Sequence, residues 1–151
     1  MKTYTFDIPN EEEVVILDAL IGDTYEYLLA LDTAATHTTI DSNALYLAGY
    51  ELKNAIGKVE IETSNGIIIV ETYQLERFEC MGIVKLDFVV QVYDFLAHGI
   101  TSDYHGILGL DFLRHHPFCL DIGKGEIRIN LITIHSHIIK KPFAVRKRLF
   151  Y

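Results

Sequence analysis

The chain has 151 residues, half of them hydrophobic and only three proline, with a formal net charge of −8. That length suits one domain with a real core, and that composition excludes a disordered chain. No apolar run approaches a membrane span, the start Met1-Lys2-Thr3-Tyr4-Thr5-Phe6-Asp7 has no apolar leader, and Cys80 and Cys119 make no disulfide framework, so a cytoplasmic protein with reduced thiols is expected.

Charge is unevenly placed. All 21 acids lie at or before Glu126, whereas the last twelve residues hold five bases, Lys140, Lys141, Arg146, Lys147 and Arg148. The remainder carries 8 bases against 21 acids, or −13, and the tail +5. The division predicted is a domain over residues 1–139 and a basic C-terminal tail over 140–151. A body this acidic repels nucleic acid. The tail reads as a solvated terminus, or as a segment that touches an anionic partner. Its Phe143, Leu149, Phe150 and Tyr151 are apolar enough to pack on a second subunit or in a cleft.

In chain order, residues 3–8 alternate and stop at Pro9, as an edge strand does. Residues 14–21 and 24–31 read as strands joined at Gly22-Asp23, with Tyr25, Tyr27, Leu29 and Leu31 on one face of the second. Asp32 stands at its end. Residues 36–40 continue extended. Asp41 or Ser42 caps a short helix reaching Ala48, closed by Gly49. Residues 56–63 and 67–75 flank Ser64-Asn65-Gly66, a hairpin signal because Asn-Gly tolerates the positive φ of a type I′ turn. Residues 77–83 fit strand and loop alike. Residues 86–93 form a strand and 95–103 a loop. Residues 106–109 form a short apolar strand between glycines, and 110–115 a helix ended by Pro117. Residues 119–122 and 126–132 make a last hairpin about Gly123-Lys124-Gly125. The fold class is all-β, barrel-like, with one or two short helices.

The stretch Leu28-Leu29-Ala30-Leu31-Asp32-Thr33-Ala34-Ala35-Thr36-His37-Thr38-Thr39-Ile40 carries the chemistry. An Asp is depleted in strand interiors and rarely fully buried unless paired, so one at a strand's mouth is a turn residue or a site. Two small residues follow it, which lets main chain approach main chain, and neighbouring Thr residues can donate to a carboxylate. Asp103, Asp111 and Asp121 lack that context. Asp111 reads as a first-turn helix acid, favourable for the helix dipole. The histidine pairs His115-His116 and His135-x-His137 lack the spacing of a metal site, and no nucleophile elbow occurs. No metal or cofactor is expected.

The stretch around Asp32 resembles the active-site loop of retropepsin-like aspartic peptidases, whose pattern is apolar-apolar-Asp-Thr/Ser-Gly-Ala. The later stretch Gly106-Ile107-Leu108-Gly109-Leu110-Asp111-Phe112-Leu113 resembles the apolar-apolar-Gly element and helix that cross that loop in the same family. The resemblance covers most of the chain, about residues 14–131, and leaves both ends unexplained. The resemblance implies an acid-protease barrel with a flap hairpin, its tip at Ser64, Asn65 and Gly66. It implies Asp32 as the catalytic acid, Thr33, Ala34, Ala35 and Thr36 as the active-site loop, and Ile107, Leu108 and Gly109 as the support behind it. In the family the Thr at the Thr33 position bonds across a dimer axis, and the residue at Ala34, usually Gly, offers its N–H to the carboxylate. Thr36 stands where viral relatives carry a second Asp.

One Asp-Thr-Ala without a second copy requires a twofold site, Asp32 of one protomer meeting Asp32 of another. The function expected is that of a homodimeric aspartic endopeptidase that hydrolyses peptide bonds through an activated water, with polypeptide bound as an extended strand. The alternative is a non-catalytic peptide-binding or scaffolding domain on the same fold.

Overall fold

The computed structural model of the protein describes residues 1–63 and 66–131; Ser64, Asn65 and the segment 132–151, including the basic tail, lie outside the described residues. Among the described residues ten strands and two short α-helices follow one another: β1 (Lys2–Thr5), β2 (Ile16–Ile21), β3 (Tyr25–Leu31), β4 (Thr39–Asp41), α1 (Ser42–Leu47), β5 (Gly57–Thr63), β6 (Gly66–Cys80), β7 (Ile83–Tyr93), β8 (Gly106–Leu108), α2 (Leu110–Leu113), β9 (Phe118–Asp121) and β10 (Glu126–Ile129).

Six strands close a ring in the order β2-β3-β8-β4-β7-β6, with β6 returning to pair β2, so the expected barrel forms. Closure leaves no free edge around most of the ring. Strand β6 closes it because it is long: residues Gly66 to Thr72 pair with β5, and Phe78 to Cys80 with β2. Among the described residues strand β5 pairs only with β6, so the hairpin β5–β6 stands off the ring. Its Ile67 and Ile69 are exposed and Val59 is open to a lesser degree. A second sheet, β1-β10-β9, is antiparallel and joins Lys2 to Ile129.

Burial follows the strand period. On β2, Leu17, Ala19 and Ile21 point inward; on β3, Tyr27 and Leu29 do so, while Tyr25 at the strand's start is exposed. Phe78 and Phe112 are fully buried and meet edge to face with centroids 5.3 Å apart, and Phe88 leans on both. Such edge-to-face pairs add about 0.5–1.5 kcal/mol beyond area burial. This aromatic cluster seats α2 against the ring.

Residues 77–83, ambiguous by pattern, continue β6 as far as Cys80 and then turn. Met81 (φ 50°) and Gly82 (φ 66°) form the two-residue connection to Ile83, both in the left-handed region that a type I′ turn requires. Methionine is an unusual occupant there; it is buried in the core cluster. Asp41 caps α1 through a bond from the Ala44 N–H, and Asp121 accepts from the Lys124 N–H at the β9–β10 turn.

Candidate active site

Strand β3 ends at Leu31, and its neighbour β8 runs parallel to it with Leu31 opposite Leu108. The Asp32 N–H continues that ladder to the Leu108 carbonyl at 3.2 Å. The chain then leaves the sheet, because the next residues bond to one another. Asp32 Oδ1 accepts from the Ala34 N–H at 2.8 Å and from the Ala35 N–H at 3.3 Å, and the Asp32 carbonyl accepts again from Ala35. One carboxylate oxygen is thus fixed by main chain, and Oδ2 has no partner among the described residues. Asp32 is half-buried, whereas Thr33 and Ala34 are exposed and the Thr33 hydroxyl bonds to none of the described residues. Ala34 is not in the positive-φ region, so its methyl group costs nothing in backbone strain where the family pattern has Gly.

The loop is held from behind by the start of α2. The Leu110 N–H donates to the Ala35 carbonyl at 2.9 Å and the Asp111 N–H to the Thr36 carbonyl at 3.2 Å. Asp111 is the residue that sequence reasoning undervalued. Its side chain takes the Thr38 N–H on both oxygens at 3.0 Å, the Thr38 hydroxyl on Oδ1 at 2.8 Å, and its neighbour's Phe112 N–H at 2.8 Å. Thr38, fully buried, passes the connection on by accepting from the Gly109 N–H at 3.2 Å. The signal that could have found them is the pairing itself, an Asp in the first turn of the crossing helix and a hydroxyl six residues after Asp32.

Strand β8 passes between the two arms of the loop, parallel to β3 and antiparallel to β4. There is no room for side chains at its ends. A Cβ on Gly109 would lie 2.4 Å from the His37 carbonyl carbon, and one on Gly106 would lie 2.4 Å from the Thr39 carbonyl oxygen. The glycines that bracket Ile107-Leu108 are therefore steric requirements of the crossing. Leu108 is fully buried and Ile107 half-buried.

Lys85, on β7, donates to the Asp111 carbonyl at 2.9 Å and lies 5.2 Å from the centroids of both Phe88 and Phe112. Burial lowers its pKa, and the Asp111 carboxylate opposes that shift. It braces α2 through the Asp111 carbonyl and the Phe112 ring.

The structure thus brings together Asp32, Ala34, Ala35 and Thr36 with Leu108 and Gly109, and adds Thr38 and Asp111. Thr36 turns its hydroxyl to the His37 Nδ1 at 2.9 Å. The hairpin is a separate element, linked to the loop along the ring both ways, from β6 through β7 to β4 and from β6 through β2 to β3. Of its expected tip, Ser64 and Asn65 lie outside the described residues, and Gly66 opens β6 with φ 115° while its carbonyl accepts from the Thr63 hydroxyl at 2.8 Å.

No curated protein matches the chain. Among solved structures, the crystal structure of a retropepsin-like aspartic protease from Rickettsia conorii is similar with a TM-score of 0.61 at 15% identity, covering 86% of this chain and 99% of that one. The fold is therefore the retropepsin-like one. The family model described as aspartyl protease matches residues 17–112, which contain the Asp32 loop, the hairpin and the crossing strand. The chain belongs to the aspartyl protease family.

Proposed function

We propose that the protein is a homodimeric aspartic endopeptidase whose active site forms where Asp32 of one copy meets Asp32 of another. The supporting observation is the state of the Asp32 carboxyl group. One oxygen is fixed by the Ala34 and Ala35 N–H groups, the other is unpartnered among the described residues, and the adjoining loop surface is open. A monomer holds this group in place but gives it nothing to act with.

Two carboxyl groups a few ångströms apart share one proton, because ionising both is costly. The ionised member takes a proton from a water that attacks the peptide carbonyl. The protonated member donates to the carbonyl oxygen as the tetrahedral intermediate forms. The pair titrates as a unit. The Thr33 hydroxyl, which bonds to none of the described residues, belongs to the exposed residue next to Asp32 and suits a bond to the second copy's loop. Substrate bound as an extended strand would lie between the β5–β6 hairpins and the paired loops, supplying its own main-chain hydrogen bonds. The loop's backing by Asp111 and Thr38 keeps the carboxyl group from drifting as substrate enters.

The test combines a substitution with a dilution series. Asp32→Asn is expected to abolish cleavage of an unfolded polypeptide while the dimer seen by sedimentation persists. Activity per chain of the native protein is expected to fall in proportion to concentration once most chains are monomeric. Retained cleavage in the Asn variant, or activity per chain independent of dilution across a monomer–dimer transition, overturns the mechanism.

A further inference from the structure

Strand β7 carries a charge on its inner face. Lys85 stands opposite Phe78 and on the same side of the strand as Ile83, both of them buried, so the strand period aims its side chain toward the core. A lysine is rarely placed so unless something holds its ammonium group, because desolvation penalises the charged form. Burial does lower the Lys85 pKa, and the Asp111 carboxylate opposes that shift. The ammonium group is held on α2: Nζ donates to the Asp111 carbonyl at 2.9 Å, beside the Phe112 ring.

Helix α2 has four residues, so its carbonyls all fall in the last turn, which a helix leaves without partners of its own. The Leu110 carbonyl takes the Arg114 N–H, and the Asp111 carbonyl takes Lys85. The peptide group that Lys85 grips has a second end. Its N–H, that of Phe112, donates to Asp111 Oδ1 at 2.8 Å. Oδ1 is also the oxygen that takes the Thr38 hydroxyl, and it shares the Thr38 N–H with Oδ2. A cation on the carbonyl of a peptide group polarises it and strengthens its N–H as a donor. Lys85 thus acts on the Asp111 carboxylate through one peptide group, and that carboxylate holds Thr38. The Asp111 N–H meanwhile holds the Thr36 carbonyl, and the Gln91 N–H takes the Thr38 carbonyl at 3.0 Å. Strand β7 therefore grips this arm of the loop at two points, directly from Gln91 and by way of α2 from Lys85.

We propose that Lys85 is a positioning residue for the Asp32 loop: its ammonium group sets the Asp111 carboxylate and, through it, the arm of the loop at Thr36 and Thr38. The consequence for catalysis rests on the peptidase reading above. A loop whose arm is loosened still meets substrate but aims its carboxyl group less well, so the loss falls on the chemical step.

The test uses the full chain with Lys85→Met, which keeps an unbranched side chain beside the rings and removes the donor; Lys85→Gln, neutral and shorter, takes its place should the first variant not fold. Amide hydrogen exchange is followed at Thr38 and Gly109, with the amides of β10 as the internal control. Relative to those, Thr38 and Gly109 are expected to exchange about tenfold faster than in the native protein. Cleavage of an unfolded polypeptide by the folded, dimeric variant is expected to show kcat lowered about tenfold and KM within about twofold of native. Exchange at Thr38 and Gly109 unchanged relative to β10 overturns the proposal, whether or not the protein is a peptidase. Faster exchange with kcat unchanged overturns the positioning of the catalytic group. Absence of cleavage by the native protein counts against the peptidase reading alone, and exchange then decides whether Lys85 sets the loop.

Discussion

Thr38 and Asp111 are 73 residues apart, yet their side chains behave as one unit. The Asp111 carboxylate accepts from Thr38 at both main chain and hydroxyl, and the Thr38 hydroxyl in turn accepts from Gly109. Bonds to a charged acceptor contribute roughly 1.5–3 kcal/mol, and an orphaned buried donor adds its desolvation cost. Asp111→Ala should therefore lower stability by about 2–3 kcal/mol, and Thr38→Val by about 1–2 kcal/mol. The double variant should lose less than the sum, since each single change already breaks the shared bond. Urea midpoints of the four proteins check this; strict additivity would show that the two residues act independently. Asp111 is legible in the sequence as a first-turn helix acid, and that placement is right. Its bond to Thr38 is not legible, because a partner so distant in sequence is set by the crossing of β8 and by no local preference. Asp32 is readable for the opposite reason: an acid at the end of an apolar strand, followed by small residues, is anomalous within its own few neighbours.

The crossing element shows the same contrast one level up. Strand β8 is three residues long, and its bracketing glycines are enough to mark it in the sequence. Their purpose is steric. Gly109→Ala would push a methyl group into the His37 main chain, which cannot yield as a side-chain tip can. The expected cost is about 2–3 kcal/mol, toward the upper end of what overpacking typically costs. On the proposed function, peptidase activity should fall by more than the loss of folded protein accounts for, because the displaced main chain belongs to the Asp32 loop. Circular dichroism melts beside a cleavage assay on the same samples separate the two effects. The stretch 77–83 is unreadable for a different reason. Arg77 and Glu79 alternate with the buried Phe78 and Cys80 as an edge or surface strand would, and Met81 carries no turn preference. The turn forms because pairing of β6 with β7 on either side forces Met81 and Gly82 into the left-handed region, and Tyr4 packs across the space that a Gly82 side chain would fill.

At the scale of the molecule, the core holds acids that resist ionisation. Burial, with Asp18 and Glu79 adding to it, pushes the Cys80 thiol up to about 12, and burial with Tyr25 pushes the Tyr27 hydroxyl up to about 12. Both folded-state values lie above the unfolded ones, so above pH 9 the unfolded chain releases protons that the folded chain keeps. The stability they contribute is full below that point and is lost as pH rises toward 12. The urea midpoint should hold to pH 9 and then decline, and Cys80→Ala should flatten the first part of the decline whatever its effect on the starting value. The ring architecture and its two short helices can be expected from the strand pattern, since alternation and turn residues are local signals. Which strands are neighbours cannot, because ring closure by β6 and the second sheet join residues far apart in sequence.

That second sheet has a consequence for how the protein is made. Lys2 lies opposite Ile129, so β1 leaves the ribosome long before the strand that receives it. Until β10 follows, β1 is a bare ribbon, open to solvent or to a chaperone's grip, and the step that seats it is a meeting of two distant stretches of polypeptide. A stalled nascent chain ending before Glu126 would leave that ribbon digestible by protease, and synthesis past Ile129 would shield it.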